Sequence, residues 1–354
     1  MELGLNLGYW GAGNDADNIA LAQEADRLGY SVVWAAEAYG SDSPTVLAWV
    51  GALTERIGLG AAVMQIPART PATTAMTAAT LDALSGGRFR LGLGVSGPQV
   101  SEGWHGVRFA DPLGRTREYV DIVTKALRRE TLTHEGKHWT LPLPDGPGKA
   151  LRLTVHPVRE RLPIYLAAVG PRNLQLAGEI ADGWLAIFYS PEFAKDQHAC
   201  LAAGAVTAGR GTPEQPLAGF DVVPTVPVVI EDDLAVAAEP LRHYAALYVG
   251  GMGSREKNFY NALAVRMGFE QAAAEVQDLY LARRHRDAAA AVPQEFIDHT
   301  ALIGPRARIR ERMVRYAEAG VTTLSISPYA ATLEQRLHVV RTMAELLDET
   351  GLAD

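Results

Sequence analysis

The feature that most constrains this chain is a rhythm: short apolar runs rich in β-branched residues alternate with amphipathic stretches, and eight such runs can be counted. Residues 2–8 read as the first strand, after which Asn14-Asp15 caps a helix whose apolar positions Ile19, Leu21, Ala22, Ala25 and Leu28 recur at helical spacing until Gly29 stops it. Residues 31–36 form the second strand, and Ser43-Pro44 then reads as an N-cap followed by a residue preset for the first helical turn. A third strand (57–63), a helix over 71–84 and a fourth strand (89–95) continue the pattern. Strands joined through helices pair in parallel, because a hairpin turn is too short to reverse direction twice. A helix over 115–129 leads into 134–161, which is rich in Pro and Gly and reads as an insertion carrying a hairpin. The alternation resumes with strands 164–169, 184–188 and 222–230 separated by helices 171–181 and 191–206. An Ala-rich helical insertion over 235–301 precedes a helix (306–319), the last strand (322–327) and a closing helix (333–347).

Length alone, 354 residues, allows two or three domains. Eight strands with no Pro/Ser linker between them instead predict one closed (β/α)8 barrel over 1–354, a TIM barrel with insertions at about 134–161 and 235–301. The net charge is −8 and no block of like charge interrupts the chain, so nucleic acid is not an expected partner. Cys200 is the sole cysteine and has no disulfide partner within the chain; the start lacks a basic segment followed by an apolar one. No apolar run approaches the roughly 18 residues that a bilayer span requires. These points lead to the expectation of a cytoplasmic protein with no membrane partner.

In such a barrel side chains fill the interior, so reacting groups gather at the C-terminal strand ends. That places Tyr9 and Trp10, Glu37, residues 62–65, residues 96–105 and residues 170–172 in view. Gly92-Leu93-Gly94-Val95-Ser96-Gly97 matches the dinucleotide pattern G-x-G-x-x-G, yet Pro98 follows at once, no clear helix is expected for more than ten residues, and Glu118 lies on a helix. In a barrel, Gly94 and its neighbours either let a flat ring approach the backbone or simply turn the chain. Gly170-Pro171-Arg172 is either a phosphate cradle at a helix N-terminus or an ordinary helix start with proline at its first position. Glu37 is either a cofactor-binding or proton-relaying acid or an exposed loop carboxylate. His105, next to Trp104, is either a general acid or a solvated loop histidine. The histidines lack the spacing of a zinc site and the serines that of a nucleophile elbow, so neither metal catalysis nor hydrolysis is expected.

Several ordered segments resemble the luciferase-like monooxygenase superfamily and, within it, the F420-dependent oxidoreductases. They are Leu7-Gly8-Tyr9-Trp10-Gly11, Ala36-Glu37-Ala38-Tyr39-Gly40-Ser41-Asp42, Ala68-Arg69-Thr70-Pro71, Leu84-Ser85-Gly86-Gly87-Arg88, and the run from Leu91 to Pro98. Ala168-Val169-Gly170-Pro171, Ala181-Asp182-Gly183-Trp184, Gly250-Gly251-Met252-Gly253 and Ala319-Gly320-Val321 continue the series. The resemblance implies a non-prolyl cis peptide at Ala62-Val63 beneath a deazaflavin ring. It also implies ring contacts from Glu37, Ser96 and Gly97, and a phosphate region received by Ala168, Val169, Gly170 and Pro171, with Arg172 beside them. One departure is plain: sugar-phosphate dehydrogenases of the superfamily carry a histidine and a glutamate where this chain has Ala38 and Pro98. Sugar-phosphate oxidation is therefore not expected, and Trp10, Trp104 and His105 stay as substrate-side candidates by position. The resemblance implies F420 as hydride carrier, reducing a C=C or C=N bond or running in reverse. Two alternatives remain open: an FMN-dependent monooxygenase served by a partner reductase, and a flavin- or deazaflavin-binding protein without turnover. A homodimer is expected on the same ground, and the 250–301 part of the second insertion is expected to cover the mouth and select substrate.

Overall fold

The computed structural model describes residues 1–10 and 15–353. Eight parallel strands close on themselves: β1 (Glu2–Asn6), β2 (Val32–Ala35), β3 (Gly58–Ala61), β4 (Phe89–Gly94), β5 (Ile164–Ala167), β6 (Gly183–Ile187), β7 (Asp221–Ile230) and β8 (Thr323–Pro328). Each pairs with the next, and β8 returns to β1 through the register Glu2↔Thr323. The (β/α)8 barrel expected from the alternation is the fold observed.

Two apolar layers hold it. Inside, Val32 and Trp34 of β2 meet Tyr165 of β5, Leu185 of β6 and Val223 of β7. Trp34 fits because β3 offers a glycine opposite: a Cβ on Gly60 would lie 2.2 Å from the indole ring. Outside, strand residues such as Leu5, Leu59 and Leu91 pack against helix residues such as Leu21, Leu47 and Val123. Fully burying one such side chain is worth roughly 1.5–3 kcal/mol.

Helix starts follow local chemistry, with corrections to the sequence reading. The helix Pro71–Leu84 lies where expected, with the Thr70 hydroxyl accepting from the Thr73 N–H. At Ser43–Ala52 the cap is Asp42, whose carboxylate accepts from Thr45 N–H; Ser43 and Pro44 are already helical. The next long helix, Pro112–Leu127, begins ahead of residue 115 because Asp111 caps it and Pro112 presets its first turn. Pro98 likewise opens a short helix, Pro98–Gly103, directly after β4, where none was expected. Of the Asn14-Asp15 pair, Asn14 lies outside the described residues, and the helix runs Asp15–Arg27.

The stretch after residue 134 holds an antiparallel hairpin of His134–Glu135 with Thr140–Leu141. The second insertion is a helical cap with its own core, in which Phe296 packs between Phe188 and Phe269. It ends in a strand the sequence reading passed over, Leu302–Gly304, which extends the sheet beside the end of β7. Three residues are too few to show a period. No helix among the described residues is long and apolar enough to cross a membrane.

Candidate active site

The C-terminal strand ends and the helical cap enclose a cavity of about 960 Å³, within the range of small-molecule sites. Its two sides are made differently.

The barrel side presents mostly backbone. Ala62, Val63, Gly94, Ser96 and Gly97 line it, as do Ala168, Val169, Gly170, Pro171 and Arg172. The Ala62–Val63 peptide bond is cis, as the resemblance implied. Gly92 and Gly94 lie within β4, where a Cβ on Gly92 would sit 1.8 Å from the Ala61 carbonyl oxygen and one on Gly94 2.6 Å from Val63. They are glycines because strands and bulge crowd together there. This, rather than a missing helix, removes the dinucleotide reading, since the pattern spans a barrel strand. Ala38 and Ser96, following β2 and β4, both adopt left-handed φ, at 48° and 60°. For residues with a side chain that conformation costs roughly 1–2 kcal/mol, so the surrounding structure enforces it. The helix Pro171–Ile180 has Gly170 as its N-cap with no side chain capping it, and its positive end faces the cavity with Arg172 exposed beside it.

Glu37 also lines this side, and it is buried, 6 % exposed, which decides against a loop carboxylate. Both of its oxygens are engaged. Arg69 pairs with it at 2.7 Å, Ser43 donates from its backbone and hydroxyl at 3.3 and 3.2 Å, and the Gln65 N–H donates at 2.9 Å. Glu37 thus ties the bulge after β3 to the helix after β2. Arg69 binds Asp42 as well, which completes the tie.

Trp10, Trp104 and His105 fall outside the lining. Trp10 packs half-buried against the outer core, and Trp104 is 67 % exposed. His105 stands one residue behind the wall, its Nε2 2.8 Å from Oε1 of Gln65.

The cap side is aromatic. Tyr9, after β1, and Tyr329, after β8, face Tyr244, Tyr248, Tyr260 and Tyr280 of the insertion. The helix Leu234–Ala246 runs on into a π-helical turn, Leu247–Gly251, that carries Tyr248. Such turns often mark functional sites. Carbonyls freed by the wide turn are caught by Asn258, whose Nδ2 donates to Tyr248 O and Val249 O at 3.0 and 2.9 Å. The Asn258 Oδ1 meanwhile caps the helix Phe259–Arg266. Gly250 and Gly251 let Tyr280 lie against the turn, since a Cβ on either would come within 2.5 Å of that side chain. Burial pushes the Tyr260 and Tyr329 phenols up to about 12, and burial plus neighbouring phenols drives Tyr244 and Tyr248 well above the usual tyrosine range. Tyr9 is raised as well, again chiefly by burial. These hydroxyls stay protonated and act as donors. The sequence reading missed all of them but Tyr9. The spacing of Tyr244 and Tyr248, one helical turn apart in an Ala-rich stretch, was the available signal.

Comparison with known proteins agrees with this architecture. A protein of Mycobacterium tuberculosis, provisionally named a coenzyme F420-dependent oxidoreductase, is 45 % identical over 352 residues, covering 98 % of this chain and 99 % of its own. A 5,10-methylenetetrahydromethanopterin reductase of Methanolobus tindarius is 31 % identical over 231 residues, 65 % of this chain and 66 % of that one. The solved structure of the coenzyme F420 dependent tetrahydromethanopterin reductase of Methanopyrus kandleri superposes with a TM-score of 0.81 over 97 % of both chains at 22 % identity, a likeness of fold. The luciferase-like monooxygenase family matches residues 9–323, and the chain belongs to that family.

Proposed function

We propose that this chain moves a hydride from reduced coenzyme F420 to a C=C or C=N bond of a small, uncharged organic substrate. With its relatives among F420-dependent oxidoreductases, the protein is an F420-dependent oxidoreductase of luciferase-like fold. The observation that carries the finer reading is the division of the cavity. One side offers backbone and small residues to a flat ring, and the other offers phenols that stay protonated.

The residues present fit the cofactor. Ala62, Val63, Gly94, Ser96 and Gly97 leave a surface of small side chains and backbone on which a ring can lie, and Gly170, with nothing within 4 Å of a Cβ built on it, leaves open space before a helix N-terminus. Gly170, Pro171 and Arg172 are the groups to hold a phosphate. When bound, F420 supplies a hydride; the chain supplies position and charge stabilisation. Glu37, with its oxygens committed to Arg69, Ser43 and Gln65, fixes the bulge rather than exchanging protons.

Fluorescence titration with F420 and with FMN, each oxidised and reduced, tests the assignment. Saturable F420 binding with much weaker FMN binding is expected. Tight FMN binding without F420 binding overturns it.

A further inference from the structure

Oxidoreduction that adds a hydride to carbon also needs a proton, and few groups in this cavity can give one. Glu37 is held by Arg69, Ser43 and Gln65; Arg336 is paired with Asp17. No histidine or cysteine lines the cavity among the described residues. The phenols remain. The Tyr9 hydroxyl lies 3.2 Å from that of Tyr248, whose ring packs against Tyr244 at 4.9 Å. Two hydroxyls in contact hold two protons but share one link, so one proton is left for another acceptor. Tyr248 is buried, whereas Tyr9 is 44 % exposed and lines the cavity, so the open end is at Tyr9. Hydroxyls arranged in series polarise one another, which strengthens the terminal donor.

We propose that the Tyr9 hydroxyl, positioned and polarised by Tyr248, binds and protonates the carbonyl oxygen of a flat, uncharged α,β-unsaturated carbonyl substrate. The proposal rests on the F420 reading and names the substrate class and the acid for it. Flatness follows from the wall itself, where Tyr248 and Tyr260 meet edge to face and leave ring surfaces for a conjugated molecule to lie on. Neutrality follows from the charges of the lining: among the described residues Glu37 and Arg336 are paired, and Arg172 is the cation assigned to the cofactor's phosphate. The β-carbon gains a C–H bond from the hydride of reduced deazaflavin, which is thereby oxidised. The C=C π pair moves toward the carbonyl, and the oxygen takes the Tyr9 proton to give an enol. The phenolate regains its proton from water, and the enol tautomerises to the saturated carbonyl compound.

The test uses 4-(dimethylamino)cinnamaldehyde, a conjugated aldehyde whose absorption moves to longer wavelength when its carbonyl accepts a hydrogen bond, so no turnover is needed. The wild-type protein is expected to shift the band red, Tyr9→Phe to abolish the shift, and Tyr248→Phe to leave a smaller one. F420 affinity, read by fluorescence, should agree among the three proteins to within about twofold, as for independent sites. With reduced F420 supplied, kcat for the aldehyde's C=C reduction should fall by about 10²–10³ in Tyr9→Phe, the usual loss for one removed oxyanion donor. A wild-type protein that gives no red shift, or a Tyr9→Phe protein that keeps it, overturns the proposal. Failure of the wild-type protein to bind F420 overturns the functional reading instead, and the dye shift still decides the role of Tyr9.

Discussion

The two walls of the cavity differ in material. The barrel wall is made of main chain and small residues at strand ends, held where sheet hydrogen bonds and left-handed residues such as Ser96 fix them. The cap wall is made of large side chains on helices that pack around a separate core. Backbone on a closed sheet is placed by every neighbouring strand, so it suits a cofactor that is always the same. Side chains on an inserted helical unit can change without disturbing the barrel, so they suit the choice of substrate. The two units also meet at polar joints. One is Arg312 on the helix Arg306–Glu318, which pairs with Glu192 on the barrel side and donates to the Asp298 and His299 carbonyls of the cap.

The largest test of this division is Phe296→Ala. Removing a ring that is 3 % exposed and packed between Phe188 and Phe269 should cost about 3–5 kcal/mol in urea unfolding. If the walls are independent, KM for substrate rises while F420 affinity of the folded protein stays within about twofold; a parallel loss of F420 affinity breaks the division. Next comes Arg172→Ala on the barrel wall, expected to weaken F420 binding by about 1–3 kcal/mol with no change in the unfolding midpoint. An unchanged affinity assigns the phosphate to backbone alone.

The smallest effect is at the joint. Burial alone would raise the Glu192 carboxyl, but hydrogen bonds from Ser190 and Arg312 outweigh it and hold it at about 2. A carboxylate held below its ordinary value of 4.5 contributes stability that is complete above that pH and is lost as pH falls toward 2. Glu192→Gln should therefore flatten the stability profile between about pH 4.5 and 2 and leave neutral activity unchanged. A profile in that window identical to wild type removes the joint from the account.

Much of the barrel was legible in advance because its signals are local. The helix Pro71–Leu84 carries its Thr70 cap, its proline and its period within one short segment. The strands announced themselves by β-branched runs bounded by turns. Where the reading slipped, two residues competed for one role: Asp42 displaced Ser43 as a cap because its carboxylate also meets Arg69, a partner far along the chain. The barrel-side candidates, Ala62 to Arg172, came from motif order and all line the cavity. Trp104 and His105 were chosen by nearness in sequence to a strand end; beyond the short helix Pro98–Gly103, Trp104 is exposed and His105 lies behind Gln65 rather than on the wall.

By itself, then, the sequence determined the barrel and the backbone side of its mouth, since hydrophobic period, caps and glycine positions act over a few residues. Only the tertiary structure decided that Glu37 is a buried tie and that Tyr9 meets Tyr248. The Glu37–Gln65 and Tyr9–Tyr248 contacts join residues 28 and 239 positions apart, and nothing local in the chain specifies which distant partner a carboxylate or a phenol will find.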